Sequence, residues 1–327
     1  MKNGIIALLW VLLVPVALAA SCGAATCPLV VYETHPVGHL SFGMAYETID
    51  QDRVYVGSRG AALGAISGHH DELRTLNQRW ILRSAYALTP EVQVRAELPI
   101  VARDHTHIHH HHGAVLVENW NFSGIGDAGI FVDYTFASDH TGHEDAAYGS
   151  TLMLSVGGTL PTGRTDIHNS DGDEAEASIQ PGSGGYSGTT SVYYRKPLLA
   201  VSTLAGRTGV FALTTALSYT SFGAGTNGWK FGDSILASLG GEYPLWEGSV
   251  FFVQLDSKWQ DAASPGTTRE PVSNTGGYWL YLSPGMRITL WEGLIVNGIV
   301  QVPIHQHVNG IQIVSGRNVQ IGLTGTF

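Results

Sequence analysis

The sequence predicts an all-β protein, a transmembrane antiparallel up-and-down β-barrel of about twelve strands, on three observations. Apolar residues make up 44% of the 327-residue chain and charged residues only 13%, a balance too greasy for an ordinary secreted globular enzyme. Beyond the first residues, however, no apolar run reaches the roughly 18 residues that a spanning helix needs. Period-two alternation recurs instead, as in Val92-Gln93-Val94-Arg95-Ala96-Glu97-Leu98, apolar on one face and charged on the other. In a closed barrel the first face meets lipid and the second a watery lumen.

The chain starts with Lys2, an apolar stretch from Ile5 to Ala19, and the small residues Ala20 and Ser21. This is the pattern of a secretory signal peptide covering residues 1–19. Residues 20–38 then form a short periplasmic segment, and 39–327 the barrel. Cys22 and Cys27 sit close together in an oxidising compartment, which fits a small local disulfide. Leu18-Ala19-Ala20-Ser21-Cys22 also approaches a lipoprotein box, so a lipid-bearing Cys22 is the alternative.

Alternating runs fall near 39–49, 76–88, 91–103, 125–137, 148–160, 185–195, 208–221, 231–243, 249–259, 277–289, 294–303 and 316–327. Thr89-Pro90-Glu91, Pro244 to Gly248 and Leu290 to Gly293 are tight connections, whereas 50–75, 104–124, 161–184, 260–276 and 304–315 are long and polar. With both termini in the periplasm, every long connection lies outside the cell. Leu245-Trp246-Glu247-Gly248 recurs as Leu290-Trp291-Glu292-Gly293 on the periplasmic side, where Trp suits the interfacial belt. The last strand, from Asn318, ends on Phe327, as in barrels presented to an outer-membrane assembly machinery. Gly325 departs from the large apolar residue usual at that position. These features place the chain in the outer membrane of a Gram-negative cell, with bilayer lipid as its surroundings.

Four short blocks follow in order: Leu98-Pro99-Ile100, Gly124-Ile125-Gly126-Asp127, Gly157-Gly158-Thr159-Leu160-Pro161-Thr162-Gly163 and Gln180-Pro181-Gly182-Ser183-Gly184. In this order they resemble the outer-membrane barrel family of transporters of the MetA pathway of phenol degradation. The resemblance covers roughly residues 90 to 195, and beyond that only the strand pattern. It implies a channel for small solutes, hydrophobic or aromatic ones included. The glycines and Pro161 suit turns and strand ends, so they are expected to shape the barrel.

On the strands, Arg79, Arg83, Arg95, Glu97, Asp133, Arg195, Asp256, Lys258 and Arg287 take lumen-facing positions. Mixed signs favour cross-lumen ion pairs over a field that selects one sign of ion. About twelve strands give a narrow or partly plugged passage.

Asp104 is followed by His105, His107, His109, His110, His111 and His112, in the second long connection. Such a run reads either as a capture site for Zn, Cu or Ni on an outer-membrane uptake protein, or as a solvated low-complexity stretch. The acidic stretch from Asp166 to Glu176 lacks calcium-loop spacing. His168 and Ser170 echo the His-x-Ser pair of lipid-modifying barrel enzymes, but Asp171 stands where that pattern has Asn and no third orienting residue follows. The expectation is a channel that is not an enzyme and carries no resident cofactor. A net charge of -10 speaks against nucleic acid as a partner.

Overall fold

A computed structural model describes residues 37–65, 72–111, 114–136, 149–169, 172, 174–266, 270–291 and 293–327. The signal peptide, Cys22, Cys27, His112 and Ser170 lie outside the described residues.

The strands are β1 (Leu40–Gly57), β2 (Arg59–Gly60), β3 (Glu72–Ala87), β4 (Val92–His111), β5 (Ala114–Ile125), β6 (Ala128–Phe136) and β7 (Thr151–Leu160). They continue as β8 (Ser187–Ser202), β9 (Thr208–Phe222), β10 (Ser234–Trp246), β11 (Ser249–Gln260), β12 (Gly277–Trp291) and β13 (Leu294–Thr326). Each barrel strand pairs with its neighbours in chain order, and β13 closes the ring on β1 through a register running from Ser41 opposite Thr326 to Gly57 opposite Val308. β2 and β5 stand outside this ring.

Eleven continuous strands therefore close the barrel, in place of the dozen or so read from alternation. The difference lies in β13. The sequence separates 294–303 from 316–327 by a polar loop, but the chain stays in strand throughout. Its first arm pairs with β12 and its second with β1. It reverses at Asn309-Gly310, where Gly310 has a φ of 58°, a backbone state that glycine takes without steric cost. The two arms let every neighbour in the ring run antiparallel, which demands an even number of staves.

The wall is inside-out by the standard of a soluble protein. Phe42, Met44, Trp80, Leu82, Ile130, Val132, Leu239 and Leu255 are exposed, whereas Glu47, Asn77, Asp133, Glu242, Asp256 and Gln320 are buried. Alternation sends successive side chains to opposite faces, so an apolar exterior and a polar interior follow from one pattern. An exposed apolar band on this scale is stable only against another apolar medium.

The described chain ends meet at one end of the barrel, where Leu40 and Phe327 exchange backbone hydrogen bonds of 2.9 and 3.1 Å. At the opposite end the rim is uneven. β4 runs past the level where β7 and β8 pair, and its outer part pairs with β5 from Ile100 opposite Ile125 to His111 opposite Ala114. The connection 104–124, expected as a loop, is thus a tall hairpin. Its first half is mostly histidine, so alternation against lipid does not mark it as strand.

Candidate functional site

The four short blocks meet at one place on the barrel's inner wall, at the step between β5 and β6. Gly126 donates its N–H to the Pro99 carbonyl at 2.8 Å. Asp127 turns inward and accepts three hydrogen bonds: from the Gly163 N–H at 2.9 Å, the Ser183 N–H at 2.8 Å and the Ser183 hydroxyl at 2.6 Å. Arg164 N–H reaches the Ile125 carbonyl at 2.9 Å, and Gly182 N–H reaches the Arg164 carbonyl at 2.8 Å. A Cβ on Gly163 would stand 2.5 Å from Gly182 Cα, and one on Gly182 would stand 2.6 Å from Gly163 Cα. Only glycine allows the two backbones to come so close.

This knot holds the connection between β7 and β8 inside the barrel. Beyond it, Ile167, Ala175 and Ile179 pack on Trp120 of β5 as a buried cluster that Phe122 flanks. Gln180 braces the turn, accepting the Ile167 N–H at 3.1 Å and donating to the Ala175 carbonyl at 2.8 Å. Ala177 adjoins a second cluster of Trp229 and Ala263, from the connections after β9 and β11. Three connections therefore pack together over the end opposite the termini.

Below them lies a cavity of about 360 Å³. The loop supplies Ser178, Gln180, Pro181, Gly182 and Ser183, and the strands supply charged, hydroxyl-bearing and aromatic side chains.

Of the charged residues singled out from the strands, Arg79, Arg83, Glu97 and Lys258 line this cavity. Arg79 binds both oxygens of Glu47, at 2.7 and 2.8 Å. Arg95 bridges Glu97 at 2.5 Å and Asp133 at 3.2 Å, lies over the Phe131 ring, and leaves Arg83 to share Glu97 at 3.3 Å. Arg195 and Arg287 converge on Glu242 at 2.9 and 3.7 Å. Asp256 accepts from Ser238, Ser283 and Gln301 at 2.6, 2.5 and 3.2 Å. Lys258 stands 5.6 Å from the centre of the Trp279 ring. Glu47 and Glu242, which complete these pairs, escaped the sequence reading, although strand parity marks both as inward. Arg103, at the last position of the run predicted at 91–103, and Asp127 were missed too.

The histidines are placed differently from expectation. His105 is buried on β4, with Nδ1 at 2.7 Å from the Thr75 hydroxyl. Nε2 of His107 lies 3.4 Å from Glu118, and the two imidazoles are 5.3 Å apart. His109, His110 and His111 continue the same strand. His105 and His107, two positions apart, share one face of the strand, but among the described residues no group of three or more metal-ligating side chains comes together. The metal-uptake alternative is therefore not supported. Likewise the described residues of the acidic stretch offer no such group: Asp166 pairs with Arg164 at 3.0 Å, which as hydrogen bond and as charge holds its carboxyl below the usual range. His168 Nδ1 bonds the Asp166 carbonyl at 2.8 Å in an exposed position.

No family model matches the sequence, so the resemblance to the MetA-pathway family is not confirmed, and no curated protein matches it either. Among solved structures the chain is similar to the COG4313 outer membrane channel from Pseudomonas putida F1, 15% identical, with a TM-score of 0.65 and 90% of this chain and 98% of that chain covered. It also aligns with the transport unit of the autotransporter AIDA-I from Escherichia coli, 10% identical, with a TM-score of 0.48 over 91% and 93% of the two chains. A Pseudomonas aeruginosa FadL homologue aligns at 9% identity and a TM-score of 0.39 over 88% and 90%. At these identities the likeness speaks for fold, and the first of the three carries it: this chain has the closed antiparallel fold of an outer-membrane β-barrel.

Proposed function

We propose that the protein is an outer-membrane channel for small solutes, with its termini in the periplasm and the loop-filled end facing outside. The observation that carries this reading is the inverted wall: an apolar exterior enclosing an ion-paired polar lumen, narrowed by a loop that Asp127 pins to the inside. A barrel of this size filled only by side chains would need no such loop, and a loop placed over a cavity sets the size of what passes. The rings of Phe131, Phe222 and Phe231 at the cavity favour hydrophobic or aromatic solutes among small ones, in keeping with the resemblance to phenol-pathway transporters. Phe327, at the seam with Leu40, is the end that an assembly machinery would grip.

The test is conductance of the refolded protein in planar bilayers, with folding verified by heat-modifiable migration. Stable unit conductance, reduced by polymers small enough to enter, is the expected result. Silence from folded protein would refute the channel. Ser58→Cys in a chain whose Cys22 and Cys27 are replaced by serine, labelled by an impermeant reagent on intact cells, tests the orientation: labelling places the tall rim outside, and protection places it in the periplasm.

A further inference from the structure

The cavity contains a cation that the barrel does not neutralise. Arg103 of β4 donates from Nε to Asn77 at 2.5 Å and from Nη1 to the Ser178 carbonyl at 3.4 Å, and no carboxylate pairs with it among the described residues. A guanidinium has five N–H donors, so most of its capacity is unused. Arg79 is its diagonal neighbour, because Asn77 is opposite Arg103 and Arg79 opposite Val101 in the β3–β4 register. Diagonal side chains on one face are within reach of long residues. Arg79 spends one nitrogen on Glu47 and leaves its Nε buried without an acceptor.

Of the two guanidiniums only that of Arg79 is paired with a carboxylate, Glu47. The other carboxylates of the cavity are engaged, Glu97 by Arg83 and Arg95 and Asp127 by the loop knot. Like charges held together in a half-buried site, with donors to spare, match a planar anion that accepts two hydrogen bonds at once. Ile81, Val101, Phe131, Phe222, Phe231 and Leu236 also line this cavity and offer an apolar and aromatic surface within it.

We infer that this lumen holds a binding site for a small organic carboxylate with an apolar or aromatic body, its carboxylate on Arg103 and Arg79 and its body against the phenylalanines. The inference deepens the channel reading by naming a solute class, and it rests on that reading only for the step from binding to passage. A cavity of about 360 Å³ accommodates a one-ring acid, at the small end of ligand pockets. The bound acid would touch Ser178 and its neighbours on the loop, so occupancy and loop position are linked.

The experiment is equilibrium dialysis of labelled benzoate against the folded full-length protein in detergent, with benzamide as the neutral isostere. Saturable binding of one benzoate per chain is expected, with benzamide at least tenfold weaker and Arg103→Gln at least tenfold weaker for benzoate at unchanged heat-modifiable migration. Absence of saturable binding, equal affinity for benzamide, or full affinity in folded R103Q would overturn the site. The benzoate and benzamide comparison needs no variant and stands if R103Q fails to fold. Conductance measured alongside keeps the two ideas apart. Silent bilayers with benzoate still bound refute the channel and leave the site, and open channels that bind no benzoate do the reverse.

Discussion

Replacing Asp127 by Ala removes the acceptor on which the inward loop hangs. Its carboxylate receives two N–H bonds and one hydroxyl bond, between 2.6 and 2.9 Å. Hydrogen bonds to a charged group contribute about 1.5–3 kcal/mol each. The three are not additive, and Asp127 is only half-buried, so water takes up part of the loss. A net cost of about 3 kcal/mol for the anchored state is a fair working figure, and at 1.4 kcal/mol per tenfold it raises the released population roughly a hundredfold. The loop would leave the lumen without disturbing the strand ladders, which do not use the Asp127 side chain. Single-channel recording should then show larger or more frequent openings, and limited proteolysis should cut within 161–186 faster than in the parent. Asp127→Asn keeps one acceptor oxygen and should fall between. Unchanged conductance and unchanged cleavage in folded D127A would refute the idea that this knot holds the loop.

Three further predictions follow from other contacts. Gly182→Ala drives a Cβ into Gly163 backbone at 2.6 Å, an overpacking cost of about 1–3 kcal/mol, so it should reproduce the loop release of D127A in the same recordings. Glu242→Gln leaves Arg195 and Arg287 facing each other without a carboxylate; breaking a buried pair costs about 3–5 kcal/mol, less here because both arginines are partly solvated. Its urea midpoint should drop and its reversal potential should move toward anions, and an unaltered pair of values would show that Glu242 is not their partner in solution. Asp233, before β10, is pulled up by burial but held lower still by the Phe222 N–H, the Tyr219 hydroxyl, Lys230 and the Ser221 hydroxyl, so its carboxyl lies below the usual range. A depressed folded value means that its contribution is complete above about pH 4 and is lost as pH falls through that lower value. The emission of the nearby buried Trp229 should hold steady from neutral pH down to that point and shift below it, and Asp233→Asn should show the shifted emission already at neutral pH.

The strands were legible because lipid enforces one rule on every crossing: apolar out, polar or small in. Runs such as Phe251-Phe252-Val253-Gln254-Leu255-Asp256 carry that rule openly. It lapses beyond the bilayer, and there the reading failed. The histidines of β4 sit on the hairpin that β4 forms with β5, a stretch that in sequence looks like a loop. The turn of β13 was hidden within a stretch read as a polar connection, although Asn309-Gly310 is a hairpin signal in its own right. The lumen charges were found as positions but not as partners. Parity shows that Glu242 faces inward; it does not show that Arg195 and Arg287 on distant strands meet there. Asp127 was visible only as part of a motif, since what it binds lies 36 and 56 residues away along the chain.

The seam between β1 and β13 sets the order in which this protein can be built. The first strand of the barrel has one flank that β13 alone covers among the described strands, and β13 follows every other described strand in the chain. Until β13 is in place, Leu40 to Gly57 presents an unpaired edge beside a face of Phe42 and Met44, the combination that invites adhesion to other chains. Folding strand by strand during export would prolong that exposure. A chain of this design has reason to stay loose, under escort, until β13 is available to close the ring.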